Sequence, residues 1–92
     1  MLKKHYSPGI PVILNKKPTN QKHAFIFFGK KYKKKENYFC LSRKSNLSEA
    51  ASNLYKIMRS IKRKGFKKIF VSKIPNRGLG IAINDRLKRS AS

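Results

Sequence analysis

Apolar residues along the chain fall into four short continuous runs and one long periodic segment. The short runs cover residues 11–14, 24–28, 38–41 and 68–72. Each is bounded by turn-forming or charged residues, a pattern typical of strands in a sheet that is covered on both faces. The pattern therefore predicts four strands.

The long periodic segment, residues 46–65, predicts an amphipathic helix. Its apolar positions recur at helical spacing: Leu47, Ala50, Ala51, Leu54, Ile57, Met58 and Ile61. Asn46 and Glu49 have the spacing of an N-terminal capping box, and Gly65 is placed to end the helix. Because the last strand follows after a short turn, we expect a β-α-β unit and a sheet that is at least partly parallel.

A second helix is predicted over about residues 80–90, where Ile83 and Leu87 lie four positions apart and form an apolar stripe. The order of elements indicates an α/β fold with a mostly parallel sheet of about four strands and two main helices.

The connection between the first two predicted strands is short for an α/β fold. Residues 15–22 separate the first two strands, fewer than the dozen or so that a helical crossover needs. Either that pair is antiparallel, or a helix has been lost there.

A glycine-containing loop lies between the last strand and the second helix. In such a position a phosphate can approach the free N–H groups of the helix N-terminus. The third glycine of a dinucleotide-binding motif and the Gly-Lys-Ser/Thr of a P-loop are missing, so a tight turn is the simpler interpretation. The candidate nucleotide or phosphate turn comprises Arg77, Gly78 and Gly80.

The charge of the chain is strongly unbalanced. Among its 92 residues, 24 are Lys or Arg and three are acidic, which gives a formal net charge of +21. Such a charge opposes compaction at low salt and favours a polyanionic partner. With 11% aromatic residues the chain is nevertheless expected to fold around a core.

Residues 29–37 concentrate lysines around Tyr32, and we expect this segment to be a solvated, flexible connection. Together with Tyr38 it could form a basic surface that neutralises phosphates and stacks on unpaired bases. Charge alone confers no sequence specificity. An equally simple interpretation is a basic surface spread over the whole molecule, so both interpretations stay open.

No set of residues has the spacing of a catalytic or metal centre. A single cysteine, Cys40, excludes a disulfide framework, and His5 and His23 have no acidic or cysteine partner at ligand spacing. Asp85 is adjacent to Arg86, which indicates a local ion pair rather than acid–base chemistry. Neither a membrane-spanning run nor a signal peptide is recognisable. We therefore expect a cytoplasmic protein with no membrane partner, no metal and no catalytic residues of its own.

Three stretches carry a resemblance to a known family. They are Lys4-His5-Tyr6-Ser7-Pro8, Glu49-Ala50-Ala51-x-Asn53-Leu54-Tyr55-x-x-x-Arg59 and Gly78-Leu79-Gly80-x-Ala82-Ile83-x-Asp85-Arg86-Leu87. These stretches are similar to the linker, the central helix and the end of the C-terminal domain of bacterial long-form threonylcarbamoyl-AMP synthases. The resemblance implies a small Rossmann-like α/β/α layer over residues 12–92, preceded by an interdomain linker or lid segment at residues 1–11.

The family's enzyme makes threonylcarbamoyl-AMP from threonine, bicarbonate and ATP for the modification of certain tRNAs, so the resemblance implies a role in that process. In this family the chemistry belongs to a YrdC-type catalytic domain, which we expect to be absent from this chain. ATP and threonine would then belong to that domain, and no cofactor is expected on this one. Because the family's linker lies across the catalytic pocket, the resemblance implies a substrate lid formed by His5, Tyr6, Ser7 and Pro8.

The resemblance also marks positions on the two helices: Glu49, Asn53, Arg59, Asp85 and Arg86. The leading hypothesis is an accessory module whose partner is the YrdC-type domain, with tRNA as a further candidate partner. The alternative is a free-standing basic RNA-binding module. A third hypothesis is an independent nucleotide hydrolase that uses the glycine turn.

Overall fold

The computed structural model describes residues 10–91, and the side chains of residues 10–90 within that range. The elements in chain order are β1 (Val12–Leu14), β2 (Ala24–Phe27), β3 (Tyr38–Cys40), α1 (Leu47–Lys64), β4 (Ile69–Val71) and α2 (Leu79–Ala91). All four predicted strands and both predicted helices are therefore confirmed. Gly65 ends α1 as predicted, in the left-handed conformation at φ 78°, where its N–H donates to the carbonyl of Lys62.

The four strands form one sheet in the order β1-β4-β2-β3, and every neighbouring pair is parallel. β4 lies between β1 and β2, where Ile69 is in register with Val12 on one side and with Ala24 on the other. The predicted α/β class, with a parallel four-stranded sheet and two helices, is confirmed. The three-layer α/β/α arrangement implied by the resemblance is not found in residues 10–91, where both helices lie on one face of the sheet. The β-α-β unit consists of β3, α1 and β4.

The connection between β1 and β2 contains no helix in the described chain, and the strands that it joins are parallel. The antiparallel alternative is therefore wrong. Strands of three and four residues are only about 10–13 Å long. Residues 15–23 can extend over about 30 Å, so the chain can return along the sheet and pass β4 without a helical crossover.

One face of the sheet carries the hydrophobic core and both helices. The strand residues on this face are in register with one another: Val12, Ala24, Ile26, Ile69 and Val71. The buried side chains of the helices that join the same cluster are Ala50, Leu54, Ile61, Ile83 and Leu87. Full burial of each of the larger aliphatic side chains stabilises the fold by about 1.5–3 kcal/mol. The apolar stripes of the two helices are thus explained by this contact.

Aromatic side chains cover the opposite face. Phe25 is in register with Tyr38 on β3 and with Phe70 on β4. Tyr32, from the connection between β2 and β3, packs edge-on against Phe25 and Phe27 with ring centroids 5.0 and 5.3 Å apart. Phe25 and Phe27 are therefore buried without a helix on this face in residues 10–91. The expectation of a wholly solvated connection is wrong at Tyr32, because its ring shields apolar surface from water.

No helix within the described chain is both long enough and apolar enough to cross a membrane. Residues 1–9 lie outside the described range, so the division into a linker at residues 1–11 and a domain at residues 12–92 stays a prediction.

Candidate functional site

Two of the three stretches that carry the resemblance come together where α1 packs against α2. Their apolar positions Ala50 and Leu54 on α1 and Ile83 and Leu87 on α2 are all buried in the same cluster. These side chains have a structural role, because they join the two helices to the sheet. The polar residues of the same stretches have different environments.

Glu49 belongs to a hydrogen-bond chain at the N-terminus of α1. The side chain of Asn46 accepts from the backbone N–H of Glu49 at 2.9 Å, as the predicted cap requires. In a complete capping box the side chain of Glu49 would accept a second bond, from the backbone N–H of Asn46. Here that N–H donates to Oγ of Ser42 instead, at 3.0 Å. The Ser42 hydroxyl in turn donates to Oε1 of Glu49 at 2.6 Å. Glu49 therefore holds α1 on the end of β3.

Asn53 has a comparable structural role. Its side-chain amide donates to the carbonyl of Leu41 at 2.9 Å, which ties α1 to the residue after β3. Asn84 on α2 makes the same kind of bond to the carbonyl of Ile74, at 3.1 Å, in the loop after β4. Each helix is thus fastened to the carboxyl end of the strand that precedes it.

Tyr55 and Arg59 of α1 meet Arg86 of α2 at the protein surface. The guanidinium carbons of Arg59 and Arg86 lie 5.5 and 5.7 Å from the centroid of the Tyr55 ring, within the range of cation–π contacts. The Tyr55 side chain is 57% exposed. We call Tyr55, Arg59 and Arg86 the Tyr55 cluster. It brings together family-like positions that lie far apart in the sequence.

The Tyr55 cluster lies beside a groove between the two helices. Small and apolar side chains that line the groove are Ala51, Leu54, Ala82 and Ile83. The groove is also lined by the polar residues Asp85, Arg89 and Ser90. Exposed tyrosine and arginine side chains next to a partly apolar groove are typical of the residues that dominate protein–protein binding. Arg59 and Arg86 were expected from the resemblance, but their contact through the Tyr55 ring was not. The signal in the sequence was Tyr55 itself, an aromatic residue that lies outside the apolar stripe of α1 and is therefore expected at the surface.

Asp85 is paired with a different arginine from the one predicted. Its Oδ2 lies 3.2 Å from Nε of Arg89, one helical turn further along α2, and both side chains are largely exposed. The predicted ion pair with Arg86 is wrong, because side chains four positions apart lie on the same side of a helix and adjacent ones do not. Arg86 instead packs on Tyr55.

The glycine turn is shaped by close packing. A Cβ atom on Gly80 would lie 1.8 Å from the carbonyl oxygen of Pro75, a distance that no side chain can accept. Gly78 has a φ of +54°, which favours glycine. Arg77 is exposed, and its carbonyl accepts from the N–H of Gly80 at 2.8 Å. Close packing thus explains the glycine at position 80, and backbone conformation explains the one at position 78. Phosphate binding at Arg77, Gly78 and Gly80 stays a prediction.

A second surface of unusual composition covers the aromatic face of the sheet. The ammonium groups of Lys17 and Lys31 lie 5.6 and 5.9 Å from the centroid of the Tyr32 ring. That of Lys35 lies 5.1 Å from the centroid of Tyr38. The two tyrosine rings are perpendicular, with centroids 6.3 Å apart. We call these five residues the lysine–tyrosine surface.

The remaining candidates add no further site within the described range. Between residues 10 and 91 no three His, Cys, Asp or Glu side chains come together in a way that could hold a metal ion. His23 packs against Phe70, with ring centroids 5.5 Å apart. The predicted lid residues His5, Tyr6, Ser7 and Pro8 lie outside the described residues, so their role stays a prediction.

Comparisons with known proteins test the resemblance itself. Neither the curated proteins nor the solved structures contain a match to the chain. A family model described as the threonylcarbamoyl-AMP synthase C-terminal domain matches residues 1–92. The chain therefore belongs to the family of threonylcarbamoyl-AMP synthase C-terminal domains, whose enzymes take part in tRNA modification.

Proposed function

We propose that this protein is an accessory and lid module that works on a YrdC-type catalytic domain in the synthesis of threonylcarbamoyl-AMP. The catalytic domain binds threonine and ATP, and this module docks on it and closes its pocket. Under this proposal the protein acts in the cytoplasm, together with the YrdC-type domain, in the modification of tRNA. Its family membership supports the pathway, and the Tyr55 cluster supports the docking.

The Tyr55 cluster is the observation that carries the proposal. Glu49 and Asn53 have hydrogen-bond partners that explain them within the domain. Tyr55, Arg59 and Arg86 are exposed, and their mutual contact is worth only about 0.5–1 kcal/mol at such a site. A partner that covers the ring and pairs with the two guanidinium groups gains much more. We therefore assign this cluster to the contact with the catalytic domain, through carboxylates and an apolar side chain of that domain.

The position of the proposed lid fits such docking. Pro8 precedes Val12, the first residue of β1, by four positions, which is at most about 14 Å of chain. The place where the domain docks therefore limits the region that His5, Tyr6, Ser7 and Pro8 can reach. Tyr6 is the residue that we expect to approach bound threonine or nucleotide, since its ring covers a ligand and its hydroxyl can donate a hydrogen bond.

The test combines this chain with a YrdC-type domain from the same source and measures ATP-dependent formation of threonylcarbamoyl-AMP. We expect the chain to raise the rate and the variant Tyr6→Ala to bind the catalytic domain but to raise the rate less. The matched control is Tyr55→Ala, which should lose binding itself. An unchanged rate on addition of the wild-type chain would rule out the proposal.

A further inference from the structure

We propose that the lysine–tyrosine surface is a binding site for single-stranded nucleic acid. This surface, formed by Lys17, Lys31, Tyr32, Lys35 and Tyr38, lies over the face of the sheet opposite to α1 and α2. It is therefore distinct from the Tyr55 cluster and from any contact made there.

Positive charge is concentrated on and around the lysine–tyrosine surface. A groove beside Tyr32 and Tyr38 is lined by three further cations, Lys30, Lys34 and Arg43. Together with the three lysines above the tyrosine rings, six basic side chains surround two aromatic ones. The exposed Glu36, one of only three acidic residues in the chain, lines the neighbouring groove together with Lys35 and Tyr38. None of these six cations has an ion pair within residues 10–90, and a phosphate backbone would stabilise such a density of positive charge.

The two tyrosine rings are arranged so that unpaired bases can stack on them. Tyr32 and Tyr38 are only half-buried, while Phe25 and Phe27 beneath them are buried and hold them in place. Each tyrosine has an ammonium group within 6 Å of its ring centroid. Lysine stems are flexible, so a base can replace the ammonium group over the ring while that group moves to the adjacent phosphate.

The groove next to Tyr38 carries polar side chains. Thr19, Gln21 and Lys22 line it together with Lys35 and Tyr38, and all three side chains are exposed. Hydroxyl and amide groups next to a stacking ring can hydrogen-bond the edges of unpaired bases. The nucleic acid that fits this combination is single-stranded, because bases in a duplex cannot reach the rings.

A membrane surface fits less well. The large hydrophobic side chains that are exposed in residues 10–90 are Tyr55, Leu79 and Ile81, and all three belong to α1 or α2. The lysine–tyrosine surface therefore offers cations but no aliphatic side chain for insertion into acyl chains. Charge would attract anionic lipid, but the rings of Tyr32 and Tyr38 are half-buried and leave little apolar surface for insertion.

The experiment measures the fluorescence anisotropy of a labelled oligouridine of about 12 nucleotides, a length within the usual range of single-strand sites. The test variant is Lys17→Gln/Lys31→Gln/Lys35→Gln. The control is Lys56→Gln/Lys62→Gln/Lys88→Gln, which removes the same charge from the helices, where all three lysines are exposed. We expect the test variant to lose about tenfold or more in affinity and the control less than about threefold. Affinity of the wild type should fall steeply with salt.

A second variant tests the rings. Tyr32→Leu/Tyr38→Leu keeps every charge and should weaken oligouridine binding by about tenfold, with folding checked by circular dichroism. If this variant unfolds, the comparison of the two lysine variants decides. Equal losses in the two lysine variants would overturn the proposal in favour of general charge attraction. Affinity for heparin or for anionic phosphatidylserine vesicles equal to that for oligouridine would overturn it as well.

Discussion

The hydroxyl group of Ser42 lies 2.6 Å from Oε1 of Glu49 and donates a hydrogen bond that joins the end of β3 to the first turn of α1. Ser42 is 3% exposed, and its oxygen also accepts from the backbone of Asn46. One buried hydroxyl thus completes a helix cap that the sequence pattern attributed to Asn46 and Glu49 alone.

Replacing Ser42 by alanine removes both bonds and leaves the N–H of Asn46 without its acceptor. We expect Ser42→Ala to lower the free energy of unfolding by about 1–3 kcal/mol in urea denaturation. Ser48→Ala is the control, because Ser48 is exposed in the same turn and its loss should change stability by less than about 0.5 kcal/mol. Equal effects of the two substitutions would contradict the role of Ser42.

The two glycines of the turn should respond differently to alanine. At Gly80 the new Cβ would collide with backbone atoms of Pro75, so we expect Gly80→Ala to cost about 3 kcal/mol or more. At Gly78 no atom lies within 4 Å of the new Cβ, and only the positive φ opposes it, at a cost of about 1 kcal/mol. Thermal unfolding of the two variants shows which substitution destabilises the fold more. A larger loss at Gly78 would show that close packing at Pro75 is not the constraint.

Tyr32 should stabilise the fold through its ring rather than its hydroxyl. Tyr32→Ala uncovers Phe25 and Phe27 and is expected to lower the free energy of unfolding by about 2 kcal/mol. Tyr32→Phe keeps the edge-on contacts and should change it by less than about 0.5 kcal/mol. Urea denaturation of both variants checks this, and an equal loss in both would instead point to the hydroxyl.

The ion pair between Asp85 and Arg89 should matter little for stability. Both side chains are more than half exposed, and exposed pairs four positions apart on a helix contribute about 0.3–0.5 kcal/mol. We expect Asp85→Asn to reduce stability by no more than this at low salt, with the difference disappearing near 1 M salt. A loss of about 2 kcal/mol that persists at high salt would show that Asp85 has a further structural partner.

The elements themselves could be predicted because their signals are local. The apolar period of α1, its cap at Asn46 and its stop at Gly65 all act within a few residues. The sheet order could not be predicted, because strands of three residues show which side chains are apolar but not which strand lies beside them. The insertion of β4 between β1 and β2 is decided by packing of the whole core.

The candidate sites were predictable only in part. Arg59, Asp85 and Arg86 were found through the resemblance, but their contacts depend on how α1 packs on α2, which the sequence does not show. The packing of Tyr32 against Phe25 could not be predicted either. A lysine-rich segment has the composition of a solvated loop whether or not one of its side chains packs on the sheet.

The most direct test of the account is the association of this chain with a YrdC-type catalytic domain from the same source, measured by titration calorimetry. We predict that the wild-type chain binds and that Tyr55→Ala/Arg86→Ala weakens binding by at least about 30-fold, which corresponds to about 2 kcal/mol. The control Lys62→Ala/Lys88→Ala, at exposed positions of α1 and α2, should bind almost as tightly as the wild type. Absence of binding by the wild-type chain, or equal binding by the Tyr55→Ala/Arg86→Ala variant, would contradict the account.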